Sequence, residues 1–351
     1  MKFDWNDVSI VPETLSTIAS RKEIDPFYDG KLPLFTAPMD KVIDDKNVGE
    51  FVYNNINVCL PRHIRFNEMK DLCNTRTSSW MNNGCDDFFF SYGLDEIIGI
   101  IQTGGLLPKR VLIDVANGHM MKLYETSKMI KEKYGNQIEL MIGNIANPDT
   151  YREYCKIGVD YIRVGIGGGS ACTTSANVSI HYPMASLISE CAQYKSEFET
   201  PTKIIADGGF KNFSDIIKAL ALGADYVMLG GVFNKCLESC GENYIEVNRS
   251  FKEITIQKAT EYFNEGGEVH KYYRGMSTKE VQKSWNRHEL KTGEGITKYN
   301  KVDYKLAGWC ENFTDYLKSA MSYTNSRSLK EFIGEVRYEM ITQNSFNRFN
   351  K

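Results

Sequence analysis

Short apolar runs alternate with longer segments of helical spacing through the middle of the chain. The first pair is a β-branched run at residues 110–116 followed by a helix-like stretch at 122–134. The same alternation predicts strands at 138–142, 161–166, 203–206 and 226–229, and helices at 149–156, 183–194 and 215–222, the last capped by Ser214 and closed by Gly223. Strands separated by single helices are typical of parallel sheets with right-handed crossovers.

Three further apolar segments precede this region, at residues 34–37, 52–60 and 87–91. Together with the later strands they bring the count near that of a closed (β/α)₈ TIM barrel. An open doubly wound sheet is the alternative that spacing alone leaves open. Because no Pro/Ser-rich or low-complexity linker divides the chain, we predict a single α/β domain over residues 1–351.

The composition is that of a globular protein and argues against several classes of partner. The 351 residues are 42% hydrophobic and 25% charged, and the net charge of -3 gives no general attraction to nucleic acid or to an anionic membrane. No apolar run approaches the ~20 residues of a membrane helix, and the first seven residues do not resemble a signal peptide. We therefore expect a cytoplasmic protein with no membrane or nucleic-acid partner.

The cysteines and histidines do not predict a metal site. The nine cysteines are scattered without zinc-like spacing, so we expect reduced thiols that mostly pack in the core. Cys236 and Cys240 lie on a predicted helix, where packing explains them better than redox chemistry. His63, His119 and His181 also match no ligand spacing.

Residues 165–174 give the strongest local signal for chemistry. Four glycines stand within five positions, which lets the backbone approach a ligand closely, with amides for an anion or carbonyls for a cation. Cys172 follows beside Thr173 and Thr174, which suits a nucleophile with a proton-transfer partner. On this pattern alone, a flexible loop with a structural cysteine is the alternative.

Two later strands end in Asp207-Gly208-Gly209 and Gly230-Gly231. In parallel barrels the functional groups lie where strands end, and paired glycines there commonly hold a phosphate with their amides. Asp207 is a candidate acceptor for ribose hydroxyls. Tight turns, with Asp207 as a cap, are the alternative explanation.

Nine sequence blocks in order resemble one family nearly end to end. They are FDWNDVSIVP (3–12), SRKEID (20–25), TAPMD (36–40), IDVANGH (113–119), GIGGGSACTT (165–174), IADGG (205–209), MLGG (228–231), YRGMS (273–277) and GEG (293–295). The chain thereby resembles the superfamily of IMP dehydrogenases and GMP reductases. This resemblance implies a TIM barrel with an active-site flap at about 272–297 and a C-terminal helical segment at about 311–351.

Three features resemble the reductase branch. The interval between Leu60 and Arg110 is too short for the CBS-type regulatory insertion of most dehydrogenases, and DVANG is the reductase form of its motif. The interval from Ser277 to Glu294 lacks the Arg-Tyr pair that activates water in dehydrogenases. The departures from the reductase pattern are Pro38, which is dehydrogenase-like, Gly168, Ser175 and Pro61-Arg62-His63.

For this branch the resemblance implies NADPH-dependent reductive deamination of GMP to IMP and ammonia. Cys172 is expected to form a covalent thioimidate at C2 of the purine, with Thr174 and Glu294 relaying the proton that ammonia needs. The residues expected to contact the nucleotide are Ser170, Asp207, Gly208, Gly209, Gly230, Gly231, Arg274, Gly275, Met276, Ser277, Lys291, Gly293 and Gly295.

The resemblance also implies a cofactor site, a cation site and an assembly. NADPH is expected along Asp114, Val115 and Ala116, with Arg62 toward its phosphates. Ser319 and Ser322 are expected to meet the cofactor across a subunit boundary of a homotetramer. The carbonyls of Gly167, Gly169 and Cys172 are expected to bind a monovalent cation, potassium.

Three alternatives to a GMP reductase stay open at this point. One is an IMP dehydrogenase without regulatory domains, which would oxidise IMP with NAD to XMP. A second is a related reductase that acts on a deoxy or modified purine nucleotide. The third is a catalytically silent protein that binds purine nucleotides.

Overall fold

The computed structural model describes residues 1–75, 84–284 and 292–349. In chain order the strands are β1 (Val8–Ile10), β2 (Leu34–Thr36), β3 (Cys59–Leu60), β4 (Phe89–Tyr92), β5 (Arg110–Asp114), β6 (Glu139–Ile145), β7 (Tyr161–Val164), β8 (Lys203–Asp207), β9 (Tyr226–Leu229), β10 (Asn243–Val247), β11 (Ser250–Ile254), β12 (His270–Arg274), β13 (Thr297–Lys301) and β14 (Tyr338–Met340). The helices are α1 (Val48–Tyr53), α2 (Phe66–Thr75), α3 (Leu94–Gln102), α4 (Met121–Tyr134), α5 (Pro148–Lys156), α6 (Thr174–Val178), α7 (Met184–Glu197), α8 (Phe213–Ala221), α9 (Gly231–Asn234), α10 (Ile256–Asn264), α11 (Lys279–Ser284), α12 (Leu306–Tyr323), α13 (Leu329–Phe332) and α14 (Gln343–Phe349).

Eight parallel strands form the central sheet, in the order β2-β9-β8-β7-β6-β5-β4-β3. Backbone hydrogen bonds join the two ends of this order. The amide of Thr36 donates to the carbonyl of Asn57 at 3.0 Å, and the amide of Asn57 donates to the carbonyl of Leu34 at 3.0 Å. The sheet is thus closed between β2 and the residues that lead into β3, and the predicted (β/α)₈ TIM barrel is confirmed.

A layer of apolar side chains fills the interior of the barrel. Its members come from the successive strands and are Phe35, Ala37, Cys59, Phe89, Leu112, Met141, Ile205 and Met228. Phe35 and Phe89 meet edge to face with ring centroids 5.8 Å apart. Because helices cover the outer face and this layer fills the inner face, the strands are apolar on both sides, which explains their continuous hydrophobic runs. A packed interior leaves the mouth of the barrel, where the strands end, as the place for a site.

The described residues between β3 and β5 form α2, a 3₁₀ helix at Gly84–Asp87, β4 and α3. This interval therefore continues the barrel, in agreement with the prediction that no CBS-type regulatory insertion lies there. Among the described residues, every helix is too short or too polar to cross a lipid bilayer.

Three local predictions were wrong. Helix α8 is capped by Asn212, whose side chain accepts from the amide of Asp215 at 2.9 Å, and Ser214 lies inside the helix. Residues 52–53 belong to α1 instead of to a strand. Cys236 and Cys240 follow α9 in a turn, where the Cys236 thiol donates to the carbonyl of Phe233 at 2.8 Å.

A four-stranded antiparallel sheet, in the order β11-β10-β12-β13, follows the last barrel strand. Strands β12 and β13 form the base of the flap, because Arg274 pairs with Thr297 at their open end. The described flap residues between them include α11 and residues 292–296.

The C-terminal segment departs from the prediction of helix over residues 311–351. Helix α12 begins earlier, at Leu306, and β14 interrupts the helical region by pairing antiparallel with β1, with Ile10 opposite Tyr338. The backbone of the N-terminal strand supplies the partner, so local helical periodicity could not predict this strand.

Candidate active site

A layer of charged side chains lies on the apolar layer at the mouth of the barrel. Arg163 points inward from β7 between two carboxylates at the ends of neighbouring strands. Its Nη1 lies 2.6 Å from Asp114 Oδ1, and its Nε and Nη2 lie 3.0 and 2.8 Å from Asp207 Oδ2. Arg163 is only 6% exposed, so each of these buried charges depends on the others for compensation. The sequence interpretation missed Arg163, although an arginine inside an otherwise apolar strand was a usable signal.

Arg62 and Asn144 complete this charged layer. Arg62 Nε lies 3.2 Å from Asp114 Oδ2, and its Nη2 donates to the carbonyl of Asp114. Asn144 Nδ2 donates to Asp207 Oδ2 at 2.7 Å and to the carbonyl of Gly165 at 2.9 Å. Burial alone would raise the pKa of Asp114, but the guanidinium groups of Arg163 and Arg62 outweigh it and lower that pKa.

The glycine-rich loop begins where β7 ends and packs directly on the end of β8. Gly165 has a φ of +131°, and a Cβ at this position would lie 2.4 Å from the carbonyl oxygen of Asp207. Both the conformation and the space therefore require glycine. A Cβ at Gly208 would lie 3.2 Å from the amide nitrogen of Gly169, so the two loops remain in contact beyond this point.

The structure brings together the three predicted catalytic side chains. The Cys172 thiol donates to Thr174 Oγ1 at 3.3 Å, and the Thr174 hydroxyl donates to Glu294 Oε2. Cys172 and Thr174 lie at the start of α6, whereas Glu294 comes from the flap. The three groups form a continuous path along which a proton can pass from sulfur to carboxylate.

Backbone hydrogen bonds hold the flap against the nucleophile loop. The amide of Thr173 donates to the carbonyl of Glu294 at 3.1 Å, and the amide of Ile296 donates to the carbonyl of Ala171 at 3.0 Å. Cys172 and Gly295 are thereby paired as antiparallel neighbours. Glu294 is positioned by a short two-stranded contact as well as by its side chain.

The glycine pairs after β8 and β9 form a concave cradle beside Ser170. A Cβ at Gly231 would lie 2.9 Å from Ser170 Oγ, and a Cβ at Gly230 would lie 3.1 Å from the hydroxyl of Tyr273. Tyr273 interacts with Ser170, and burial raises its pKa above the ordinary value. The YRGMS motif alone predicts no role for Tyr273, whereas the structure places this residue on the cradle.

These groups line one cavity of about 1170 Å³ at the mouth of the barrel. Cys172, Thr174 and Glu294 are all among its lining residues, and the loop with Cys172 follows β7, which lies between β6 and β8 in the sheet. On one side lie the ends of β5 and β6, and on the other lie the glycine cradle and the first turn of α12. A cavity of this size exceeds what one small ligand needs and suits two ligands that meet at Cys172.

Comparison with known proteins decides the family. The family model described as the IMP dehydrogenase / GMP reductase domain matches residues 109–349. The chain belongs to the IMP dehydrogenase / GMP reductase family. The resemblance carried by the nine sequence blocks is thereby confirmed.

Relatives of both kinds within the IMP dehydrogenase / GMP reductase family align with the chain. It is 27% identical to GMP reductase 1 of Homo sapiens over an alignment of 362 positions, which covers 98% of this chain and 96% of the human protein. It is 26% identical to GMP reductase of Caenorhabditis elegans, with 97% and 92% of the two chains covered. It is 35% identical to inosine-5′-monophosphate dehydrogenase of Chlorobaculum parvum over 240 residues, but that match spans 66% of this chain and 45% of the dehydrogenase.

One predicted nucleotide contact of the family site lies elsewhere. The Arg274 side chain bonds to Asp40 and lies 2.8 Å from Glu280, and it is not among the described groups that line the cavity. It therefore joins the base of the flap to the loop after β2. The next flap residues, Gly275, Met276 and Ser277, do line the cavity.

The two predicted glycines of the flap act through packing. A Cβ at Gly293 would lie 3.0 Å from the carbonyl oxygen of Ser277, and a Cβ at Gly295 would lie 3.1 Å from Cγ2 of Thr278. These close approaches let the two sides of the flap meet on either side of Glu294. Lys291, another predicted contact, lies outside the described residues.

The residues predicted to hold the cofactor lie in two places. Asp114, Val115 and Ala116 line the cavity together with Leu94 and Met120, a mixture of apolar walls and polar groups that fits a nicotinamide. Arg62 also lines the cavity, with its guanidinium held on Asp114. Ser319 and Ser322 lie on α12 and are not among the residues that line it.

Two of the carbonyls predicted to bind a cation already accept hydrogen bonds. Gly167 accepts from the Ser175 hydroxyl at 3.1 Å, and Gly169 accepts from the amide of Cys172 at 2.9 Å. Each carbonyl oxygen has a second lone pair, so both remain compatible with a cation.

His119 has a structural environment. Its Nδ1 lies 2.9 Å from Thr150 Oγ1, and its Nε2 accepts from the amide of Ala146 at 3.0 Å. Burial lowers its pKa, which is consistent with a neutral ring that bridges two loops. Among the residues that the structure describes, no three His, Cys, Asp or Glu side chains form a metal-binding group.

Proposed function

We propose that the protein catalyses the NADPH-dependent reductive deamination of GMP to IMP and ammonia. The observation that carries the proposal is the hydrogen-bonded path from Cys172 through Thr174 to Glu294 at the centre of the cavity. The end-to-end alignment with proteins named GMP reductase supports this branch of the family.

The first half-reaction uses this path to exchange an amino group for sulfur. The Cys172 sulfur bonds to C2 of GMP while its proton passes through the Thr174 hydroxyl to Glu294. Glu294 then gives that proton to the 2-amino group as the C2–N bond breaks. The products are ammonia and a thioimidate on Cys172, so atoms and charge balance. Covalent catalysis divides a difficult displacement into two easier steps, and protonation makes ammonia a competent leaving group.

The second half-reaction replaces sulfur with hydrogen. NADPH, when bound, supplies the hydride that C2 accepts. The C2–S bond then breaks, the Cys172 thiolate leaves IMP behind, and the thiolate takes up a proton that enters from solvent through Glu294 and Thr174. The sequence between Ser277 and Glu294 contains no Arg-Tyr pair. By the family resemblance that pair is the base that activates water in dehydrogenases, so its lack disfavours hydrolysis of the thioimidate.

The charged layer and the cradle would hold the nucleotide at Cys172. Ser170 and the amides of Gly209, Gly230 and Gly231 suit the 5′-phosphate, because amides at loop and helix starts favour anions. The described hydrogen bonds to the Asp207 carboxylate all reach Oδ2, which leaves Oδ1 toward the ribose hydroxyls.

The cofactor, the cation and the assembly complete the proposal. Asp114, Val115 and Ala116 would line the nicotinamide site, with Arg62 beside it. The carbonyls of Gly167, Gly169 and Cys172 would bind a monovalent cation such as potassium. In a homotetramer, Ser319 and Ser322 of one subunit would contact the cofactor of its neighbour. We propose a cytoplasmic enzyme.

An IMP dehydrogenase is the second candidate, because two observations favour it. Pro38, which is dehydrogenase-like, lines the cavity beside Met39. The local identity to a protein named inosine-5′-monophosphate dehydrogenase is also higher, at 35%.

A paired assay separates the two candidates. The protein is mixed with GMP and NADPH, and separately with IMP and NAD, and nicotinamide absorbance is followed. We expect absorbance to fall in the first mixture, with IMP and ammonia formed in equal amounts. The Cys172→Ala variant should show no change while still binding GMP. Rising absorbance in the second mixture alone would instead identify a dehydrogenase, and GMP binding without turnover would indicate a binding protein.

A further inference from the structure

We propose that the phosphate end of the cavity holds a second phosphate group, so that the site binds purine nucleoside 5′-diphosphates as well as monophosphates. The inference rests on the proposed function for the direction in which the nucleotide lies. Besides Lys122, the cavity is lined by four lysines from the segments after the glycine pairs, from β13 and from the residue before α12, which are Lys211, Lys235, Lys298 and Lys305.

Lys298 is tied to the cradle through Tyr273. Its ammonium group lies 5.6 Å from the centroid of the Tyr273 ring, while the hydroxyl of that ring lies 3.1 Å from the position of a Cβ on Gly230. Tyr273 also interacts with Ser170. The ammonium is therefore stacked on the face of the ring whose hydroxyl reaches the cradle.

Lys211 and Lys235 are placed at the same end by the chain itself. Lys211 comes two residues after Gly209, and Lys235 comes one helical turn after Gly231. Lys235 pairs with Asp303 at 2.8 Å, so Asp303 offsets one of the positive charges. Lys211, Lys298 and Lys305 still give this end of the cavity a net positive charge.

The lysines also repel one another. Burial and the charge of Lys235 lower the pKa of Lys298. Like charges that are gathered in a partly closed cavity are unfavourable unless an anion joins them. The cradle amides and Ser170 already supply donors for the first phosphate, whereas lysine ammonium groups bind phosphate as point charges. A second phosphate, one anhydride bridge farther from the ribose, would lie among these lysines.

The test compares binding of GMP and GDP to the full chain by calorimetry without a nicotinamide cofactor. We expect wild-type protein to bind GDP at least as tightly as GMP. The double variant Lys235→Met/Lys298→Met should raise the ratio of the Kd for GDP to the Kd for GMP about tenfold, as expected for losing charge-assisted contacts. The control Lys156→Met removes an exposed lysine of α5 that pairs with Glu153, and it should leave this ratio unchanged.

Weaker binding of GDP than of GMP by the wild type would overturn the inference, as would an unchanged ratio in the double variant. Both lysine side chains reach the surface, and circular dichroism checks that the variant folds. If GMP is turned over but GDP is bound more weakly, the proposed function stands and this inference falls. If both nucleotides bind with the expected ratio but GMP is not turned over, the inference stands and the proposed function falls.

Discussion

The hydroxyl of Thr174 donates a hydrogen bond to Glu294, and this bond crosses from the nucleophile loop to the flap. The same two segments are joined by backbone hydrogen bonds on either side of Cys172. The proton path of the proposed reaction therefore exists only while the flap is docked on the loop. The flap contributes a reacting group in addition to covering the site.

Replacing Glu294 with Gln removes the carboxylate that accepts the proton but preserves the size of the side chain. We expect kcat to fall by about 10²–10⁴, the usual contribution of a positioned acid or base, with KM changed only a few-fold. Steady-state kinetics with GMP and NADPH measures this. Glu268→Gln, at an exposed carboxylate beside β12, is the matched control and should retain full activity. Unaltered kcat in Glu294→Gln would remove this residue from the proton path.

Arg274 bonds to Asp40 and Glu280 at the base of the flap, so Arg274→Gln should loosen the docking of Glu294. We expect a loss of about tenfold in kcat, because small displacements of a catalytic group are costly, with little change in Tm. Arg249→Gln, in the turn between β10 and β11, should have no effect on either quantity. An equal loss in both variants would show that Arg274 does not act through the flap.

Arg163→Met should destabilise the fold because it leaves two buried carboxylates without their shared cation. We expect the free energy of unfolding in urea at pH 7 to fall by about 3–5 kcal/mol. Arg152→Met, at an exposed arginine of α5 that pairs with Asp149, should change it by less than about 1 kcal/mol. Similar unfolding curves for the two variants would contradict the claim that Arg163 stabilises the fold by compensating the two buried carboxylates.

The loss in Arg163→Met should also depend on pH. In the wild type the lowered pKa of Asp114 contributes stability that is present above the ordinary value of 3.8 and is lost as pH falls through the folded pKa. Without Arg163, only Arg62 offsets the burial of Asp114, so the folded pKa of Asp114 is less depressed and its contribution to stability at neutral pH shrinks. The difference between wild type and variant should therefore be larger at pH 7 than at pH 4, and a constant difference would contradict this account.

Lys271 gives a second pH dependence, at the alkaline end. This residue of β12 has a fully buried side chain that donates to the carbonyl of Ser239 at 2.6 Å, and burial lowers its pKa from 10.5 to about 8. Between these two values the unfolded chain binds more protons, so this lysine makes stability rise with pH from about 8 to about 10.5. Lys271→Met should lack that rise in urea unfolding, whereas Lys301→Met, at an exposed lysine of β13, should keep it.

Much of the barrel could be predicted from the sequence because its strands are buried on both faces. The strand predicted at residues 226–229 has the same bounds as β9, and that at 203–206 is one residue shorter than β8. The pairing of β1 with β14 could not be predicted, since the two strands are more than 300 residues apart and short. Local periodicity carries no information about such distant partners.

The residues of the candidate site also separate into those that the local sequence predicts and those that depend on distant partners. Cys172, Thr174 and the glycine pairs lie at strand ends, where the fold itself predicts function. The directions of long side chains could not be predicted, because they depend on partners from other strands. Arg274 reaches Asp40 and Arg163 joins Asp114 to Asp207, and both arrangements become visible only when the strands are assembled.

The most direct test of the central claim is mass spectrometry of the peptide that contains Cys172, after acid quenching of protein turning over GMP and NADPH. The account predicts a purine monophosphate adduct on Cys172 that forms and decays during turnover, and no adduct or turnover in Cys172→Ala. Production of IMP with no adduct on Cys172, together with activity in Cys172→Ala, would contradict it.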